Sequence, residues 1–202
     1  LFPQNYTTYR KDRDLKGGGV FISVKRCLTS ILIPETDTNC EIIWVKIRLQ
    51  SHEDMYVGSY YRPPDKTLTD FRLLETSLRA LPQQSSDKTT ILGGDFNLPG
   101  IDWESGTLLP NCKTPTMSNE LLELTANISL TQVQEEKTRI NSNLDLLFTN
   151  RPGLVKHTQT IPGIGDHDIV VIDADIKAKI EIPKPRKIFQ YNKCKWDQVR
   201  RD

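Results

Sequence analysis

The sequence contains 202 residues, of which 37% are hydrophobic and 26% are charged, as in an ordinary soluble globular domain. Its 27 Lys and Arg residues nearly balance 26 Asp and Glu residues, so the overall charge indicates neither a nucleic-acid nor a membrane partner. No apolar run approaches the ~18 residues of a membrane span, and the four widely separated cysteines lack the paired spacing of a zinc site.

Three strands are predicted in the first third of the chain. A triple glycine at 17–19 precedes the apolar run 20–24, which is typical of a tight turn that leads into a strand. The run 42–49 begins apolar and then alternates, and the run 55–61 ends at two prolines. Because prolines stop strands, we expect Tyr61 at a strand end.

Strand and helix patterns alternate in the middle of the chain. Residues 70–81 carry apolar side chains along one helical face, with Thr69 as an N-cap and Pro82 just past the end. A buried strand over 90–92 follows, so the order of strand, helix and strand predicts a crossover connection. A second helix is predicted near 118–126.

Further short strands are predicted at 130–133, 144–148 and 169–176, which makes residues 1–176 one mixed α/β domain with a layered core. Residues 177–202 differ, because nine basic and only three acidic residues accompany two prolines. This composition is typical of a linker. A solvated spacer and an electrostatic contact with a nucleic-acid backbone are both open interpretations.

The stretch 89–103 ends a short apolar run with two glycines, which predicts a buried strand that stops at a loop. Asp95 and Asn97 follow at once, and in extended geometry their side chains point the same way, opposite to Phe96. A carboxylate beside a carboxamide can accept a proton from water while holding a phosphate oxygen or a hard cation. An Asx-rich turn without catalytic chemistry is the alternative interpretation.

Asp145 lies inside the apolar run 144–148, where an unpaired carboxylate is costly to bury. His167, which follows Asp166 in a glycine-containing turn, is the natural partner. A buried carboxylate can fix the tautomer of an imidazole and stabilise its protonated form. A carboxylate that caps a turn is the alternative for Asp145.

Five segments taken in chain order, GGGVFISV, SYYRPP, ILGGDFN, LDLLFTN and GDHDIV, resemble the endonuclease/exonuclease/phosphatase superfamily. The details GGDFNLPGIDW and LDLLFTN, with the trailing basic segment, resemble the endonuclease domain of non-LTR (LINE-like) retrotransposons. The resemblance spans residues 17–176 and implies an α/β (α+β) fold, a four-layer sandwich of two mixed β-sheets flanked by helices.

The resemblance also implies catalytic roles. Asp95 would orient or deprotonate the attacking water, and Asn97 would hold a phosphate oxygen and help to position Asp95. Tyr61 would hydrogen-bond to the scissile phosphate. His167 would contact the same phosphate as charge develops, with Asp145 orienting the imidazole.

Substrate and metal contacts are implied in the same way. Thr138 and Arg139 match a position near the DNA phosphates, and Arg139 could contact a phosphate through two of its guanidinium nitrogens. A surface arginine with no such role is the alternative interpretation. Asp166 would contribute to a metal site. The expected cation is Mg²⁺, with Mn²⁺ as the alternative, because the expected ligands are oxygens.

The sequence departs from the family pattern in two places. Gly165 stands where the family usually has serine, which removes one hydroxyl donor to the phosphate. Family members also begin with two strands that carry an Asn and the main metal-binding Glu, and no acidic residue in 1–19 lies in a matching motif. The chain, which starts at Leu1, is therefore expected to be N-terminally incomplete and to lack the family's first strands.

The function implied is a Mg²⁺-dependent DNA endonuclease domain of a retrotransposon polyprotein, which nicks target DNA to leave a 3′-hydroxyl primer and is impaired in this chain alone. DNA and a downstream reverse-transcriptase domain would be its partners, and residues 177–202 would form the linker towards that domain. We expect a monomeric domain with no membrane partner, intracellular and acting in the nucleus. A phosphatase or phosphodiesterase of the same fold and a non-catalytic nucleic-acid-binding remnant are the alternatives.

Overall fold

The computed structural model describes residues 3–13, 18–51, 53–82, 88–180, 191–193 and 196. Gly17, the first residue of the predicted glycine turn, lies outside the described residues. So does most of the predicted basic linker at 177–202.

The described residues form strands and two α-helices, whose bounds are as follows. The strands are β1 (Tyr6–Asp12), β2 (Gly19–Lys25), β3 (Ser30–Leu32), β4 (Glu41–Arg48), β5 (Asp54–Tyr61), β6 (Thr89–Asp95), β7 (Ile101–Asp102), β8 (Thr107–Leu108), β9 (Thr131–Gln132), β10 (Asp145–Thr149), β11 (Val155–Ile161) and β12 (Ile169–Ala174). The helices are α1 (Leu68–Arg79) and α2 (Pro115–Asn127).

A six-stranded mixed sheet forms the centre of the fold, in the order β3-β4-β5-β6-β10-β9. Strands β5 and β6 run parallel and are joined through α1, which confirms the predicted crossover. The remaining neighbours in this sheet are antiparallel. The helix begins at Leu68, two residues before the predicted start, with Thr67 as its N-cap residue.

The helices cover one face of this sheet and enclose the main core. Phe71, Leu74 and Leu78 recur at helical spacing on α1 and are almost fully buried. On the sheet side the core includes Trp44, whose indole nitrogen donates to Ser77 Oγ at 3.1 Å. The apolar stripe of the helix and the alternate residues of the strands thus meet in one layer. No helix among the described residues is long and apolar enough to span a membrane.

The opposite face of the sheet faces two separate hairpins, one formed by β1 and β2 and one by β11 and β12. A second apolar cluster of Val24, Val45 and Ile47 joins the β1–β2 hairpin to the sheet. The mixed α/β fold with a central mixed sheet flanked by helices is therefore confirmed. In place of one continuous second sheet, the described residues form these two-stranded units.

The two glycines at the end of β6 do not mark the start of a loop, as the sequence pattern predicted. Both lie within β6, which continues to Asp95. A Cβ atom on Gly94 would lie 1.8 Å from the carbonyl oxygen of Tyr60, and the φ angle of Gly94 is 153°. Glycine therefore lets β6 approach β5 closely enough to stay paired up to the residue that bears the carboxylate.

We expect Gly94→Ala to destabilise the protein by more than about 2 kcal/mol, because its methyl group would collide with backbone that cannot yield. Gly93→Ala is the matched control. Its Cβ would meet the flexible Leu147 Cδ1 at 3.2 Å, and we expect a cost below about 1 kcal/mol. Urea unfolding of both variants measures the difference, and equal costs would contradict the close-approach explanation.

Candidate active site

Three polar side chains lie in one row across neighbouring strand ends. Tyr61 at the end of β5 pairs in register with Asp95 at the end of β6, and Asp95 pairs with Asp145 at the start of β10. Residues in register on adjacent strands point to the same face of a sheet. The three side chains therefore project together on the face opposite the helices.

A tight turn after β6 brings Asn97 against Asp95. The backbone N–H of Asn97 donates to Asp95 Oδ1 at 2.9 Å, and Asn97 Nδ2 donates to Asp95 Oδ2 at 2.8 Å. Asn97 has a φ of 50°, in the left-handed region that asparagine tolerates better than most residues. The two side chains thus meet through an Asx turn and not through the extended geometry that the sequence predicted. Phe96 points away into the core, as expected, and is fully buried.

The surroundings of Asp95 raise the pKa of its carboxyl group. Burial raises the pKa of Asp95, the hydrogen bonds from Asn97 oppose this effect, and the negative charge of Asp145 raises the pKa further. A carboxylate with a raised pKa is a stronger base than an exposed one. Asp95 therefore combines basicity with a fixed orientation.

Asp145 and His167 form the second half of the site. His167 Nδ1 lies 2.7 Å from Asp145 Oδ2, and both side chains are partly buried. Asp145 is itself held by Thr138, whose hydroxyl oxygen accepts from the backbone N–H groups of Leu144 and Asp145 at 3.1 and 3.0 Å. With Nδ1 directed at Asp145, the imidazole has Nε2 free to interact with a bound anion.

Thr138, Arg139 and Asp166 occupy positions that the sequence did not foresee. Thr138 is fully buried, and its hydroxyl supports the strand end that carries Asp145. Arg139 Nη2 forms an ion pair with Asp166 Oδ2 at 2.5 Å, and both side chains are largely exposed. Arg139 and Asp166 therefore lie beside His167 at the rim of the site.

The residues that could hold a cation are Asp95, Asp145 and His167. One ligand atom from each lies within 4.8 Å of the other two, and all three residues are partly buried. Two neighbouring carboxylates fit a hard divalent cation, which would relieve the repulsion that helps to raise the pKa of Asp95. Asp166, the predicted metal ligand, is outside this group and contacts Arg139 instead.

Sequence reasoning missed two charged residues beside the row. Glu41 on β4 pairs in register with Tyr61 and so extends the row by one strand. Arg13 Nη2 lies 2.6 Å from Glu41 Oε1, and the Arg13 guanidinium lies 5.1 Å from the centre of the Tyr61 ring. No motif marked either residue, because strand register and not sequence spacing brings them to Tyr61.

A cavity of about 660 Å³ opens beside the row, between the central sheet and the two hairpins. Its lining includes Asp95 and Asp145 from the sheet, Phe21 from β2 and Ile169 from β12. The catalytic candidates therefore lie at the edge of a space that a substrate could enter.

Comparison with known protein families gives one match. A family model described as endonuclease-reverse transcriptase matches residues 55–171, which include Tyr61, Asp95, Asp145 and His167. No curated protein sequence matches the chain.

Several solved structures share the fold. A 3′ phosphatase from Neisseria, bound to a product DNA hairpin, has a TM-score of 0.56 at 12% identity, covering 85% of this chain and 80% of that one. An endonuclease/exonuclease/phosphatase family protein from Leptotrichia buccalis has a TM-score of 0.53 at 19% identity, and the match covers 89% of this chain and 73% of that one. The human Nocturnin catalytic domain, with a bound sulfate anion, has a TM-score of 0.52 at 15% identity, and the match covers 86% of this chain and 73% of that one. At these identities the likeness establishes a common fold.

Proposed function

The chain belongs to the endonuclease-reverse transcriptase family of the endonuclease/exonuclease/phosphatase superfamily, and from this premise we propose that it is the DNA-nicking endonuclease domain of a retrotransposon polyprotein. The observation that carries the proposal is the meeting of Asp95, Asn97, Asp145 and His167 at one edge of the sheet. A base with a fixed carboxamide and an oriented imidazole suits hydrolysis of a phosphodiester.

The proposed reaction is attack of water on the scissile phosphorus with cleavage of the bond to the 3′ oxygen. Asp95 accepts the proton of the attacking water, and Asn97 holds the Asp95 carboxylate through its backbone N–H and Nδ2 in the Asx turn. Tyr61 donates a hydrogen bond to the scissile phosphate. The departing oxygen takes up a proton, which leaves a 3′-hydroxyl on one product and a 5′-phosphate on the other.

The Asp145–His167 pair stabilises the charge that develops on the phosphate. Asp145 holds Nδ1, so that Nε2 of His167 faces the phosphoryl oxygens. Arg139 contacts a neighbouring DNA phosphate, for which it would exchange its present ion pair with Asp166. Thr138 acts from inside the protein by holding the backbone of Asp145.

We propose Mg²⁺ as the cofactor, with Mn²⁺ as the alternative, held by Asp95 and Asp145 and by Asp166 when its carboxylate leaves Arg139. The bound cation would neutralise charge on the phosphoryl and leaving oxygens. The family pattern also assigns a Glu that has no counterpart in the matching motifs of this sequence. For this reason we expect this chain to cleave DNA slowly.

Cation binding can be measured by calorimetric titration with Mg²⁺ and Mn²⁺. We expect Asp95→Asn and Asp166→Asn each to weaken binding by at least about 10-fold, because each removes a charged oxygen ligand. Asp168→Asn, which changes an exposed neighbour in the same turn, should bind as the wild type does. Unchanged binding by Asp166→Asn would confine the cation to Asp95, Asp145 and His167, and no binding by the wild type would contradict the cation proposal.

The proposed activity is tested by incubating supercoiled plasmid with Mg²⁺ and an excess of the protein. We expect relaxed circles to form slowly. Absence of nicking would contradict the proposal. Phosphate release from small phosphomonoesters without nicking would favour a phosphatase. Salt-sensitive DNA binding with neither cation binding nor cleavage would favour a non-catalytic remnant.

The wider setting follows from the same proposal. An endonuclease domain of this kind would act as a monomer on DNA in the nucleus, and a reverse-transcriptase domain further along the same polyprotein would extend the 3′-hydroxyl that the nick exposes.

A further inference from the structure

Arg62 is a buried charged residue directly after Tyr61. Its relative exposure is 1%, and arginine is almost never so deeply buried unless it is paired. In the described part of the chain, its guanidinium hydrogen-bonds only to backbone carbonyls: Nη2 donates to Lys66 O at 2.9 Å, and Nη1 lies 3.5 Å from the oxygens of both Phe96 and Asn97. Burial accordingly lowers the pKa of Arg62. Such a costly charge needs a structural or functional reason.

The backbone of Arg62 contacts the same turn. The Arg62 N–H donates to the carbonyl oxygen of Asp95 at 2.9 Å, and the Arg62 carbonyl accepts from Asn97 Nδ2 at 2.9 Å. Arg62 therefore contacts each of Asp95, Phe96 and Asn97. The guanidinium lies beside the Phe96 and Asn97 carbonyls, and the main chain of Arg62 bonds to both ends of the turn.

This arrangement explains how the left-handed backbone at Asn97 is kept in place. A non-glycine residue with a φ of 50° persists only where surrounding contacts determine it. The side-chain amide of Asn97 already bonds Asp95 Oδ2, and the Arg62 carbonyl supplies its second acceptor. The guanidinium places Nη2 on the Lys66 carbonyl and Nη1 beside the Phe96 and Asn97 carbonyls, and the single ammonium nitrogen of lysine cannot reproduce this fixed separation.

We infer that Arg62 is a positioning residue, which holds the turn 95–97 in the conformation that presents the Asp95 carboxylate to a phosphodiester. The inference rests on the proposed function for its catalytic meaning, but the contacts of Arg62 with the turn 95–97 are a property of the fold. A residue that merely filled the core would stabilise the whole domain without a specific effect on Asn97.

The test compares Arg62→Met, which keeps most of the side-chain volume, with the wild type and with Arg79→Met, a change on the exposed end of α1. NMR magnetisation transfer measures solvent exchange of side-chain amides. Asn150 is the internal reference, because its Nδ2 donates to Lys88 O and its Oδ1 accepts from Thr90 N, at the far end of β6. We expect Arg62→Met to speed exchange at Asn97 by about 10-fold relative to Asn150, the loss of roughly one hydrogen bond.

Arg62→Lys, which keeps the charge without the planar fork, should also speed exchange at Asn97, whereas Arg79→Met should change neither amide. Equal acceleration at Asn97 and Asn150, or unchanged exchange in folded Arg62 variants, would overturn the inference. Failure of both Arg62 variants to fold would also overturn it, because Arg62 would then act on the whole core.

The readout is independent of cleavage. If the wild type does not nick DNA, the proposed function fails while the amide result still decides whether Arg62 holds the turn. If the wild type nicks DNA, we expect Arg62→Met to lower kcat with KM nearly unchanged, as is typical for loss of orientation and not of binding.

Discussion

Replacing Asp95 with Asn should lower the rate of plasmid nicking by at least about 100-fold, which is the lower end of the usual contribution of a general base. The substitution keeps the shape of the side chain and an oxygen that can accept from Asn97. It removes the group that can take a proton from water, and with it one charged oxygen for a cation. The rate is measured with protein in excess over supercoiled plasmid and Mg²⁺ present.

The folded state should tolerate this change. Because burial raises the pKa of Asp95, the native state holds the proton more tightly than the unfolded state does. The stabilising contribution of the protonated group is therefore present below its ordinary pKa of 3.8 and is lost as the pH rises through the raised value. At pH 7 the ionised group is a net cost, so Asp95→Asn should not lower the free energy of unfolding by more than about 1 kcal/mol.

The matched control is Asp173→Asn, which changes an exposed carboxylate on β12, away from the row. It should nick at the wild-type rate. A folded Asp95→Asn variant that nicks within about 3-fold of the wild type would contradict the role of Asp95 as a base.

Phe96→Ala should have the largest effect on stability, at about 3–5 kcal/mol. The ring is fully buried, with centroid distances of 5.0 Å to Tyr60 and 5.2 Å to Phe148. Its removal leaves a cavity between the sheet and the helices, at the residue that separates Asp95 from Asn97. Urea unfolding measures the loss, and nicking by the folded fraction should fall because the turn loses its anchor.

Phe96→Leu is the control, because it keeps most of the buried volume and should cost less than half as much. A loss below about 1 kcal/mol for Phe96→Ala would show that the ring does not anchor the turn.

Local patterns predicted the parts of the fold that depend on burial of one face. The apolar stripe of Phe71, Leu74 and Leu78 predicted α1, and the position of α1 between two apolar runs predicted the parallel pairing of β5 with β6. By contrast, β1 and β11 were missed. Both belong to two-stranded units and lack buried residues in their strand patterns, so no clear apolar alternation marks them in the sequence.

The candidate site was predictable as a set of residues but not as a geometry. The pattern around Asp95 and Asn97 indicated their proximity, yet the left-handed φ of Asn97 depends on contacts from Arg62, which lies 35 residues away along the chain. Arg62 itself could not be foreseen as a buried residue, because arginine is exposed in most proteins. Long-range contacts of this kind leave no periodic signal in a single sequence.

The most direct test of the proposed function is the chemistry of the nicked ends. Relaxed plasmid from the Mg²⁺ reaction of this chain is given to a DNA polymerase without any end repair. We expect the polymerase to extend each nick at once, because cleavage leaves a 3′-hydroxyl. With Asp95→Asn we expect no extendable nicks to form. Nicks that are extended only after removal of a 3′-phosphate, or extendable nicks that form equally with Asp95→Asn, would contradict the account.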